Sequence, residues 1–88
     1  MYGLKVREGL DKKFAKLAKK NPSKLEIINK KVLGILRDPH RYKNLQAPLS
    51  DWKRVHIDKH FVLTFSIDEK SKTVVLEDYE HHDRIYKH

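Results

Sequence analysis

From Trp52 to Tyr86 the chain reads WKRVHIDKHFVLTFSIDEKSKTVVLEDYEHHDRIY, and the spacing within it decides the fold. Val55 and Ile57 alternate with Arg54, His56 and Asp58, the period-two pattern of a half-buried strand. Phe61 to Ile67 is a second strand-like run. Only Asp58, Lys59 and His60 separate the two, which leaves room for a tight hairpin turn and nothing longer. Asp68 to Lys72 (DEKSK) is a second turn, and Thr73 to Tyr79 a third strand with β-branched residues at its start. His82 to Lys87 suits a terminal helical turn.

Upstream the period changes. Tyr2, Leu4 and Val6 alternate with Gly3 and Lys5, a short strand. From Glu8 onward, Leu10, Phe14, Leu17 and Ala18 make the stripe of an amphipathic helix. Asn21-Pro22 ends it, and a second helix starts at Pro22 or Ser23, since proline suits a first helical turn. Leu25, Ile28, Val32, Ile35 and Leu36 form its stripe, which runs to about Arg37 before Pro39. So short a break predicts an antiparallel helical hairpin. Asp38 to Asp51 has two prolines and no period, and reads as a loop. The expected architecture is α+β: an N-terminal strand, a helical hairpin packed on a mainly antiparallel sheet, and a short C-terminal helical turn. Residues 1–88 form one domain. If Val55 and Ile57 point into the helices, then Trp52, Arg54, His56 and Asp58 point to the other, open face.

Composition narrows the function. A chain of 88 residues supports one modest core. It has no cysteine, which excludes disulfides and thiolate metal sites. No apolar run reaches the ~18 residues of a membrane span and nothing resembles a signal peptide, so a cytoplasmic location with no membrane contact is expected. The net charge is +8. It is unevenly spread: residues 1–51 carry 13 Lys/Arg against 5 Asp/Glu, while residues 52–88 carry 7 of each. A basic helical half attracts polyanions in a salt-dependent way, whereas taken singly its lysines read as a solvated helix surface.

The chemistry concentrates in the balanced half. Five of the six histidines (His56, His60, His81, His82 and His88) lie from residue 56 onward. Histidine is the side chain whose charge changes nearest neutral pH. Arg54 and His56 are two apart on one strand and emerge side by side, ~7 Å apart. The pair suits a phosphate, gripped by the guanidinium while the imidazole moves protons; a merely solvated strand face is the plainer alternative. His56 and His60 flank a turn and can converge with His82. Their spacings match no metal-ligand motif, so no metal and no cofactor are expected. His82 and Tyr86 share a helix face at i, i+4, where Tyr86 either meets substrate or anchors the tail. Trp52 reads as core rather than as a base-stacking platform. No glycine-rich phosphate loop is present.

At these residues the chain resembles the RelE superfamily of type II toxins, nearest the RelE and YafQ branch. The resemblance rests on the order of elements and on four motifs: Lys12 to Pro22 (KKFAKLAKKNP), Leu36 to Pro39 with Leu45, the tryptophan-led strand from Trp52, and the His-x-x-x-aromatic tail of His82 and Tyr86. It implies a ribosome-dependent endoribonuclease that cuts mRNA and is silenced by a RelB-type antitoxin in a hetero-oligomeric complex. In YafQ-like members a His-x-x-x-Asp-Trp run and the tail serve the site. By position these are His56, then His60 for the aspartate and Phe61 for the tryptophan, then His82 and Tyr86, while a further histidine of that branch is Ala47 here. RelE-like members use lysines and arginines, for which Lys53, Arg54 and Arg84 are nearest. The chain mixes both patterns and leaves the general base open between them. ParE-like relatives, which inhibit DNA gyrase without nuclease chemistry, and a non-catalytic ribosome- or RNA-binding module are the alternatives.

Overall fold

The structure is a computed structural model, which describes residues 1–85. Its order is β1 (Gly3–Val6), α1 (Glu8–Lys20), α2 (Pro22–Arg37), a 3₁₀ turn (Pro39–Arg41), β2 (Lys53–His56), β3 (Phe61–Asp68), β4 (Thr73–His81) and α3 (His82–Ile85). The expected elements are all present, within a few residues of the bounds read from sequence. The helical turn expected through Lys87 is seen as α3, and its remainder lies outside the described residues.

One residue turns the helical hairpin. The Asn21 backbone N–H closes α1 on the Leu17 carbonyl at 2.7 Å, and its side chain accepts from the Lys24 N–H at 3.1 Å to cap α2. Pro22 follows in the first turn, where its missing N–H costs nothing. Glu8 and Asp11 near the start of α1, with Lys19 and Lys20 at its end, agree with the helix dipole.

The sheet has four strands in the order β1-β4-β3-β2, parallel between β1 and β4 and antiparallel elsewhere. The hairpin covers one face. Leu10, Ile28, Val32, Ile35 and Leu36 from the helices meet Ile57, Leu63, Phe65, Val74, Leu76 and Tyr79 in the main core. A bulge breaks the alternation of β4: Thr64 pairs with Asp78 but Phe65 with Leu76, so Glu77 is an extra residue. The slip returns Tyr79 to the core face, and the displaced Glu77 carboxylate takes Arg7 Nε at 2.8 Å and Ser66 Oγ at 2.6 Å. Burial opposes that charge, yet these two partners hold the Glu77 carboxyl below its ordinary range.

Two expectations are corrected here. The second face is not open throughout: Leu45, Val62 and Ile85, with Leu49 and Trp52 against them, form a second small core there. Trp52 is accordingly a packing residue, as read. Asp58 does not join Arg54 and His56 on that face. β2 ends at His56, and the Asp58 side chain turns to α2, where Lys24 Nζ donates to it. Its other oxygen accepts from the His60 and Phe61 N–H groups at 2.7 and 2.8 Å, closing the hairpin turn. Burial disfavours the charged carboxylate, but Lys24 and the two backbone donors outweigh it and hold the pKa at about 2.

Candidate functional site

Register assigns the side chains to faces. Arg54 pairs with Thr64 and through it with Asp78; His56 pairs with Val62 and through it with Glu80. Arg54 and His56 therefore stand in adjacent cross-strand rows on the face away from the helices. Thr64 is fully buried beneath Arg54, and its hydroxyl donates to the Asp78 carbonyl at 3.2 Å. Arg54 is half-buried and lines a cleft of about 290 Å³ with Asn44, Leu45, Gln46, Ala47, Leu49 and Ile85. His56 is exposed. A bidentate cation in a cleft with amide neighbours, beside an accessible imidazole, suits an anion and a proton transfer on it.

The other histidines gather where β3 and β4 meet α3. The His82 N–H donates to the His60 carbonyl at 2.7 Å, pinning the start of α3 to the head of β3. The rings of His60 and His81 stack, 5.7 Å apart and 18° from parallel, and His82 lies 5.1 Å from His81. Asp83 orients the pair. Its Oδ1 is 2.8 Å from His82 Nδ1, and its N–H donates to His81 Nδ1 at 3.2 Å. The backbones of His60 and His82 meet through the His82 N–H bond, and the ring of each lies beside His81. His56 is set apart from them: it lies opposite Val62, two residues along β3 from His60, with two strand spacings between β2 and β4. That geometry separates the backbones of His56 and His82 by roughly 12 Å.

Three further candidates stand elsewhere. Lys53 is engaged by the loop before β2, with its Nζ donating to the Tyr42 carbonyl at 2.9 Å and to Asn44 Oδ1 at 2.8 Å. Phe61 shares the parity of Leu63 and Phe65, packs against the main core and stacks on Tyr79 at 5.0 Å. Arg84 pairs with Glu80 at 3.2 Å. With Phe61 and Tyr79, Arg84 lines a groove beside α1 together with Lys13, Lys16, Leu17 and Lys20, and none of these residues lines the Arg54 cleft. Tyr86, the tail aromatic of the reading, lies outside the described residues. His81, which was not among the candidates, is drawn in as the last residue of β4, and its place in the sequence HHD was the available signal.

The fold, a helical hairpin on one face of a small mixed sheet, is that of the RelE/ParE-like toxins, and here the Arg54 cleft and His56 lie on the other face. No protein-family model matches the chain. A YoeB/ParE toxin from Agrobacterium tumefaciens superposes with a TM-score of 0.80 at 10% identity, over 91% of this chain and 98% of that one. The toxin of the RelBE2 toxin–antitoxin complex from Mycobacterium tuberculosis gives 0.74 at 24% identity, covering 91% and 96%. In sequence, an uncharacterised protein of Methanosarcina mazei is 67% identical over 86 residues, 98% of this chain and all of the relative. "Putative toxin RelE4" of Methanocaldococcus jannaschii is 53% identical over 87 residues, 99% of this chain and 93% of the relative. The chain belongs to the RelE family of toxins.

Proposed function

We propose that this toxin is a ribosome-dependent mRNA endoribonuclease that stops translation, silenced by a RelB-type antitoxin in a toxin–antitoxin hetero-oligomer. The observation that carries the reading is the Arg54–His56 pair on the face of β2 away from the helices, with Arg54 lining the cleft. Cleavage proceeds by attack of a ribose 2′-hydroxyl on the adjacent phosphorus, giving a 2′,3′-cyclic phosphate and a free 5′-hydroxyl. One group removes the 2′ proton, another protonates the departing 5′-oxygen, and cations meet the charge on the phosphorane. Arg54 is suited to the last role. His56 and His82, with backbones roughly 12 Å apart, are suited to reach one phosphate from two sides and share the two proton transfers. Asp83 and the His60 carbonyl fix the orientation of His82. Arg84 and Tyr86 are tail groups for holding the RNA, and the reaction uses no metal.

The partner reading is supported by family membership and by the solved complexes of similar fold, RelBE2 of Mycobacterium tuberculosis and YoeB–YefM of Staphylococcus aureus. The decisive experiment incubates the purified toxin with translating ribosomes and maps mRNA ends, beside a gyrase supercoiling assay. Cuts that need the ribosome and leave cyclic phosphate ends are the expected result. Blocked supercoiling with intact mRNA would replace this reading with the ParE-like one.

A further inference from the structure

We propose that His81, His82 and Asp83 form an inhibitory site for a borderline divalent transition metal such as zinc. The inhibitory part rests on the nuclease reading above; the binding part does not. One donor atom from each of the three residues lies within 4.8 Å of the other two. Two imidazole nitrogens and a carboxylate oxygen are the donor types of zinc and copper sites that keep an exchangeable position, not of the oxygen-rich sites of magnesium or calcium.

The surroundings favour coordination. His81 Nδ1 accepts from the Asp83 N–H at 3.2 Å, so its lone pair faces Asp83, and a metal seated in the cluster takes the place of this bond. The stacked His60 ring and the edge of Phe61, with centroids 5.7 and 5.6 Å from His81, limit how that imidazole can turn. The backbone bond from His82 to the His60 carbonyl holds the second ligand's Cα in place. Ligands fixed in this way lose little freedom on binding. A metal seated here occupies the His82 imidazole nitrogen and adds positive charge beside the reacting groups. The His82 ring then moves no proton, and cleavage stops. The metal is thus an inhibitor of this site, consistent with a reaction that needs none.

Zinc chloride titrated calorimetrically into the untagged protein near neutral pH tests the site. One-to-one binding is expected, weakened at least ~10-fold by His81→Ala and by Asp83→Asn, with magnesium giving no signal. His81→Gln, which fills the same space beside His60, repeats the test should the alanine variant misfold. In the cleavage assay, zinc is expected to silence the wild type with the same midpoint. Measured against its own metal-free rate, cleavage by His81→Ala is expected to resist zinc. Absent binding, or binding that survives both His81 variants, overturns the site. Zinc held at the site with cleavage undiminished overturns the inhibition. If the metal-free protein cuts no RNA, the nuclease reading and the inhibition fall together, while the titration still decides the site.

Discussion

Replacing Asp58 separates what its charge does from what its shape does. The carboxylate pairs with Lys24 on α2 and receives the His60 and Phe61 N–H groups. Asn at this position keeps an oxygen for the two backbone donors and loses the ion pair; Ala loses both. The folded pKa is about 2 against an ordinary 3.8, nearly two units, for which linkage gives ~2.5 kcal/mol. Side chains that are 28% and 22% exposed are partly screened, so ~1–2 kcal/mol is the expected loss in Asp58→Asn at neutral pH. For a domain of this size that is a fall in Tm of about 4–16 °C. Asp58→Ala is expected to lose a further ~1 kcal/mol for the uncapped turn. Because the folded pKa lies below the unfolded one, the contribution is whole above about pH 4 and fades as the pH falls through about 2. Urea unfolding of wild type and Asp58→Asn at pH 7 and again near pH 2 reads this directly. A stability gap that is as wide at pH 2 as at pH 7 refutes the electrostatic account.

Three further outcomes follow from the site. His56→Ala and His82→Ala are each expected to lower mRNA cleavage by ~10²-fold or more, the scale of a general acid or base, and full toxicity of either variant removes that residue from the mechanism. EDTA is expected not to reduce cleavage; an activity abolished by chelation and restored by zinc contradicts the metal-free reaction. Reversing the exposed Lys12, Lys16, Lys19 and Lys20 is expected to weaken ribosome binding and flatten its salt dependence, whereas Arg54→Ala slows cleavage with little change in salt slope. Unchanged affinity in the lysine variant means the basic helix is only a solvated surface.

The elements were legible because each has a strong period and a marked end. What escaped was whatever depends on contacts distant in sequence. The second core draws on Leu45, Leu49, Trp52 and Ile85, isolated apolar residues in loops or at a helix end, which have no period to announce a buried face. One sign of it was present: Phe61-Val62-Leu63 does not alternate, as a strand covered on both faces does not. The bulge at Glu77 also had a mark, the spacing of three between Leu76 and Tyr79 where two is regular. Arg54 and His56 were placed by parity alone. The same parity sets Phe61 on the helix side with Leu63 and Phe65, away from the cleft. The engagement of Lys53 with Tyr42 and Asn44 depends on the path of the preceding loop, which no local pattern specifies.

The division of charge between the halves of the chain gains a physical role in the folded protein. The acids of the balanced half are not spread at random over the surface. Asp78 and Glu80 lie in the rows of Arg54 and His56, where bare carboxylates would repel a phosphate. β1 pairs with β4 only over residues 73–76, so the stretch beyond is an edge, and Lys13 from α1 clips it. Its Nζ meets Asp78 at 2.7 Å, the Tyr79 carbonyl at 3.0 Å and Glu80 at 3.2 Å. Burial works against the Glu80 charge, but Lys13 and the His81 N–H hold its carboxyl below the ordinary range. Arg7 treats Glu77 likewise, and Lys24 treats Asp58. Three cations of the helical half are therefore spent inside the fold, neutralising acids of the balanced half, while the lysines further along α1 face solvent. The fold itself decides which lysines stay unengaged, and Lys13 is held against β4 although its neighbours along α1 face solvent.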